Sequence, residues 1–299
     1  TPEKRSAFAQ SFGTGQHESY EAILCDPEID AVILTTPHSL HADHVIRAAA
    51  MRKHVFVEKP FTLTARRGVQ AAEACAAAGV VLAVGHNRRF SAAAQALKAL
   101  WEVGEFGTVL HLEANFSAPG ALDYTPDQWR ANRIESPGGA LAALGIHMID
   151  LLCWLAGPVA RVSAQATHRA VPVDMDDTTS AIFAFESGVT GSLLSHFACP
   201  YTSYLNVYGT ETSAFAAIDG DGLRVQRRGG QPERRPIEPI DTLKAELEEF
   251  ARACRGDARY RIRPEEAIHS VAVMEAIVES AARGATPISL DQEILAATG

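Results

Sequence analysis

The stretch Lys53-His54-Val55-Phe56-Val57-Glu58-Lys59-Pro60 sets the architecture. A short apolar run gives way to a charged pair and a proline, so Lys59 stands at the carboxyl end of a buried strand, where open α/β sheets place their ligands. Just upstream, Asp30-Ala31-Val32-Ile33-Leu34-Thr35-Thr36-Pro37 reads as an apolar strand ending in a turn, and about 40–52 as a helix. Strand, helix and strand make a βαβ unit. A third strand, 80–85, follows an alanine-rich helix with Thr64 at its N-cap and Gly79 past its end. Strands this apolar are covered on both faces, which predicts a parallel sheet between helices.

Near residue 90 the pattern changes. Strands with polar alternation are expected at 108–116, 161–168, 178–185, 189–196, 203–208 and 213–218, joined by links as short as Glu186-Ser187-Gly188 and Gly209-Thr210. Short links predict an antiparallel sheet. Helices at about 141–155, 241–254 and 264–283 are expected to cover one of its faces. The fold class is therefore α/β plus α+β: a partial, doubly wound Rossmann domain at 1–89, then an α+β domain with a large, mainly antiparallel open sheet at 90–299. An uncovered face with alternating apolar residues such as Leu205 and Val207 predicts association into a homodimer or homotetramer.

Composition excludes several classes. With 299 residues, 47% hydrophobic and 21% charged, the chain can bury two ordinary cores. A net charge of −9 argues against a nucleic-acid surface; the densest basic cluster, Arg224 to Arg235, reads as a polar, turn-rich segment. No apolar run approaches the roughly 20 residues of a membrane span, and no charged-then-apolar leader is seen. Five cysteines without a C-x-x-C spacing read as reduced thiols, which points to the cytoplasm.

Four phrases in order carry a family resemblance: Thr36-Pro37-His38-Ser39-Leu40-His41; Lys53 to Pro60; Gly85-His86-Asn87-Arg88-Arg89-Phe90; and Gly138-Gly139-Ala140-Leu141 with Gly145-Ile146-His147-Met148-Ile149-Asp150. Together they resemble the Gfo/Idh/MocA family of nicotinamide-dependent oxidoreductases. The resemblance runs from Thr1 to about Leu290. It implies NAD or NADP as cofactor, a nucleotide-binding first domain, and a second domain that binds substrate and forms oligomers.

Two departures stand out. The family opens with a strand, a G-x-G-x-x-G turn and a helix whose amides cradle the pyrophosphate; here Pro2-Glu3-Lys4-Arg5 already resembles the helix after the second strand, and Gly13 and Gly15 end that helix. The expectation is that the sequence is a fragment. The family also places an aspartate four residues before the histidine matched by His147, and here that residue is Ala143.

The resemblance implies that Lys59 is the general acid/base and that His147 contacts the reacting oxygen. A free lysine near pKa 10.4 is a poor base at pH 7, so burial and a positive nicotinamide ring must lower it. Glu58 opposes that shift if it pairs with Lys59, and is expected to face other partners in the cofactor pocket. Without a carboxylate at Ala143, proton relay must use water or another side chain, and Asp150, at i+3 from His147, is expected to cap or pair locally. The Gly138-Gly139 entry is expected to bring backbone close to a ligand. Thr36, Pro37 and His41 match the turn beside the nicotinamide ribose. Asn87 and Arg88 stand at the crevice mouth, Asn87 toward cofactor and Arg88 toward substrate. Trp129 and Arg130 read either as an aromatic face and phosphate-directed cation reaching the cofactor or as a plug with a surface arginine. Tyr124 is a further candidate for the substrate pocket.

His38, His41 and His44, at i, i+3 and i+6, spread around a helix and do not make a zinc site; no metal is expected. Asp174, Asp176 and Asp177 read as a solvated turn. These features predict hydride transfer at a secondary alcohol or carbonyl of a sugar, cyclitol or dihydrodiol. The alternatives are a redox-assisted lyase or glycosidase that recycles NAD, and a catalytically silent nucleotide- or sugar-binding sensor, which Ala143 and the missing glycine-rich turn favour and Lys59 opposes.

Overall fold

A computed structural model describes residues 1–220 and 222–290. Helix α1 (Pro2–Phe12) buries none of its residues and stops at Gly13 in the left-handed conformation. After α2 (Tyr20–Cys25) come β1 (Ala31–Leu34), α3 (His41–Ala50), β2 (His54–Val57), α4 (Ala65–Ala78) and β3 (Leu82–Val84). The strands form a three-stranded parallel sheet in the order β1-β2-β3, as the apolar runs predict. Thr64 caps α4 through its side chain and Gly79 closes it with φ 67°. Val55, Phe56 and Val57 are fully buried, each contributing about 1.5–3 kcal/mol relative to exposure.

Helix α5 (Ala92–Glu102) leads into β4 (Val109–Ser117). A loop then reaches a π-helical turn, Leu141–Gly145, which runs directly into α6 (Ile146–Ala156). Next come β5 (Val159–Thr167), β6 (Thr178–Phe185), β7 (Thr190–His196), β8 (Thr202–Gly209), β9 (Thr212–Ala217), β10 (Gly222–Arg227), β11 (Glu233–Pro236), α7 (Thr242–Cys254), α8 (Pro264–Ala282) and β12 (Ile288–Ser289). The nine-stranded sheet has the order β11-β10-β9-β8-β4-β7-β6-β5-β12. Its ladders are antiparallel except β4 with β7. A single Rossmann-like parallel sheet followed by a large, mainly antiparallel one is the architecture expected.

Several details differ from expectation. The basic segment 224–235 is a hairpin of β10 and β11, in which Leu223 and Val225 point into the core while the arginines face outward. Leu205 and Val207 are fully buried; the alternate residues Tyr204, Asn206 and Tyr208 of β8 all donate to the carboxylate of Glu113. Helix α7 packs on the parallel-sheet unit, with Phe250 against Phe56 and Thr242 bonded to Asn87. Asp177 is no solvated turn residue: it is 1% exposed and accepts from the N–H groups of Arg169, Ala170 and Val171. No helix among the described residues is long and apolar enough to cross a membrane.

Candidate active site

Strand β2 ends at Val57, so Glu58 and Lys59 leave the sheet at its carboxyl edge, with the Glu58 N–H still bonded to the Leu34 carbonyl. The Lys59 ammonium turns to the second domain and donates to the Ala143 carbonyl at 2.5 Å. Ala143 lies in the π-helical turn, where the Ile146 N–H reaches five residues back to Leu141, an irregularity common at functional sites. The residue that lacks the family's carboxylate thus supplies a main-chain acceptor. Burial pulls the Lys59 pKa down to about 8; Glu58 opposes the shift, and Arg130 and Arg88 add to it.

His147, one residue into α6, is 7% exposed, and its Nδ1 is buried without a partner. Burial, with Lys59, Arg88 and His86 adding, holds its pKa well below the ordinary value, so the ring is neutral. The ring of His86 lies edge-on at 6.2 Å, and that of Phe116 lies tilted at 5.9 Å. His86 is 1% exposed and neither ring nitrogen has a partner. His86 lies within the Gly85 to Phe90 motif without a role of its own in the family resemblance; its place just past the third strand is the signal the sequence holds. Arg88 lies 5.0 Å over Phe116 and pairs with Asp219, which also accepts from Tyr201. Lys59, His86, Arg88 and His147 therefore converge.

The loop before the π-helical turn folds back over the end of β1. Trp129 stands edge-on to His38 at 4.9 Å, and Arg130 stacks on Trp129 at 4.2 Å. Glu135 accepts from both the backbone and the hydroxyl of Ser39, and its carbonyl accepts from His38 at 2.6 Å. Arg130 is close enough to Lys59 to lower its pKa.

Other expected residues are engaged elsewhere. His41 is fully buried, its ring nitrogens each 2.9 Å from the carbonyls of Pro60 and Thr36, so it fixes the turns that follow β2 and β1. Thr36 bonds His44. The Asn87 amide donates to Thr242 at 3.0 Å. Tyr124 packs on Phe197 in a small cluster that also touches Ala143. Two expectations are corrected. A Cβ on Gly139 would meet the Asp176 carbonyl oxygen at 1.6 Å, so the glycine pair admits this chain's own backbone. Asp150 pairs over long range, bidentate with Arg89 at 2.8 Å on both arms, and Arg89 also reaches Glu266.

Family models agree with this geometry. "Oxidoreductase family, NAD-binding Rossmann fold" matches residues 1–86, and "GFO/IDH/MocA C-terminal domain" matches residues 94–215. The chain belongs to the GFO/IDH/MocA family, and it is an NAD(P)-dependent oxidoreductase. It is 30% identical to a D-xylose 1-dehydrogenase (NADP+) of Haloferax volcanii over 96% of this chain and 89% of that protein. It is 26% identical to 1,5-anhydro-D-fructose reductase of Ensifer adhaerens over 94% and 86%. The structure of aldose-aldose oxidoreductase from Caulobacter crescentus, complexed with glycerol, superposes with a TM-score of 0.86 at 27% identity over 97% of this chain and 89% of that one.

The crevice fits a nicotinamide cofactor on its own chemistry. Three parallel strand ends open into it, a Cβ on Gly85 would lie 3.2 Å from the Phe56 ring and 3.4 Å from the Glu58 carboxylate, and His86 offers a buried, partnerless ring. A reducible nicotinamide supplies hydride chemistry when bound.

Proposed function

We propose that the chain oxidises a secondary alcohol, or reduces the matching carbonyl, of a sugar or cyclitol, with Lys59 as proton acceptor and donor and His147 holding the reacting oxygen. The observation that carries this reading is the Lys59 amine, lowered to about 8 and held by a neutral carbonyl beside the neutral ring of His147. A base poised near the working pH is what proton removal from a hydroxyl requires. The neutral ring of His147 bonds the substrate oxygen without carrying a competing charge. Arg88 walls the site, with its charge matched by Asp219, which suits an uncharged polyol. Thr36, Pro37, Glu58, Trp129 and Arg130 are assigned to the cofactor side; His41 and Asn87 serve it by fixing the turns and α7; Tyr124 backs the substrate side through Ala143.

We further propose that residues 1–89 bind nucleotide and 90–299 bind substrate, that the protein works in the cytoplasm, and that the Glu113-Tyr204-Asn206-Tyr208 face of the large sheet joins subunits into a homodimer or homotetramer. Sugar relatives support the substrate class. The test is a panel of pentoses, hexoses, anhydrosugars and inositols with NAD+ and NADP+, followed at the reduced-nicotinamide band. Net reduction with at least one polyol is expected; turnover of substrate without net reduction would replace this reading by the recycling lyase.

A further inference from the structure

Helix α7 lays one face on the ends of β2 and β3. Thr242 accepts from Asn87, which follows β3, at 3.0 Å. Two turns on, Phe250 meets Phe56 of β2 with ring centroids 5.7 Å apart. Glu246 lies midway, four residues from each, on the same face. It is therefore presented to the strand ends that carry Glu58 and Gly85. The residue is 1% exposed, and its Oε2 is buried without a partner.

The charges nearby are already committed. Glu58 accepts from the Lys59 N–H at 3.3 Å, and its Oε2 would be 3.4 Å from a Cβ on Gly85. Glu249, on the same helix, is taken up by Arg261. Arg89 is bound to Asp150 and Glu266, and the Tyr260 hydroxyl donates to the Val84 carbonyl. Among the described residues no cation pairs with Glu246. A carboxyl buried beside another carboxyl, with no cation of its own, resists ionising. Glu246, almost wholly buried and without a cation of its own, keeps its proton. Burial first and Glu58 second push Glu246 up to about 8, in agreement with this placement.

We infer that Glu246 is a positioning residue for the Glu58-Lys59 pair: it stands against Glu58 as a neutral carboxylic acid. When Glu246 releases its proton to solvent, a negative charge appears behind Lys59 and favours the ammonium. The two groups then titrate as a coupled set, which broadens the pH range over which the lysine becomes a free base.

The kinetic arm of the test rests on the function proposed above; the spectroscopic arm does not. In Glu246→Gln that charge never forms, so the limb over which alcohol oxidation rises with pH should move to lower pH by about half a unit to one unit and become sharper. Glu246→Asp should restore the broad limb. Independently, infrared difference spectra of the full chain between pH 6 and 9 should show a protonated-carboxyl band that vanishes around pH 8 and is missing from Glu246→Gln. Glu275→Gln identifies any contribution from Glu275, the other glutamate raised by burial. A pH limb unchanged in Glu246→Gln overturns the inference. So does a wild-type spectrum with no such band, whether or not the variant folds. Absence of polyol oxidation in the wild type would instead refute the proposed function and leave the infrared result to stand alone.

Discussion

Lowering Lys59 to about 8 has a calculable consequence for rate. At pH 7 an ordinary lysine near 10.4 is a free base in about 1 molecule in 2,500, whereas one at about 8 is free in about 1 in 10, a gain of roughly 250-fold in competent base. Burial is the main cause, opposed only by Glu58, since the ammonium is held by a carbonyl dipole and not by a carboxylate. For oxidation the free amine is the active form, so the rate should climb about tenfold per pH unit up to about 8 and then level off. For reduction the ammonium is active, so the rate should be flat below 8 and fall above it. The assay is kcat/KM in both directions from pH 5.5 to 10.5 at constant ionic strength, with saturating cofactor. An oxidation rate that keeps climbing to pH 10, or one that does not depend on pH, would refute the reasoning.

Ala143→Asp places a carboxylate in the turn that holds the ammonium, which should raise the lysine pKa, move the oxidation limb to higher pH and lower kcat/KM at pH 7; a tenfold gain on the native substrate would show that the alanine is a defect. Asp150→Ala strips Arg89, whose side chain is 2% exposed, of its bidentate partner and leaves it Glu266; breaking such a buried pair should cost about 3–5 kcal/mol in urea unfolding, and a loss under 1 kcal/mol would contradict the packing described. Glu113→Ala removes the acceptor of three donors on the open sheet face, and light scattering should then report a smaller species than wild type.

Much of this was legible in the sequence because it is local. Apolar runs bounded by turns gave the parallel strands, Thr64 and Gly79 gave the limits of α4, and Lys59 and His147 converge as their motifs imply. What escaped depends on contacts remote in sequence. Alternation along β8 separates Leu205 and Val207 from Tyr204 and Tyr208, but says nothing of which set meets the helices. Arginines in 224–235 mask the alternation of Leu223 and Val225 that makes a hairpin. The π-helical turn arises from how the chain enters α6, and so the bond from Lys59 to the Ala143 carbonyl has no sequence signature. Asp150 pairs with a residue 61 positions away, beyond the reach of helical spacing. The glycine entry signals a close approach, but spacing alone does not tell a ligand from the chain itself, and the neighbour of Gly139 is the Asp176 carbonyl.

Lys59→Ala tests proton transfer most directly, through kcat and cofactor affinity measured on one preparation. Loss of the group should lower kcat by at least ~10²-fold while the dissociation constant for NAD(P) stays within about tenfold, because the lysine is assigned to the reacting oxygen and not to grip on the nucleotide. A variant that keeps more than about a tenth of wild-type kcat would contradict that assignment.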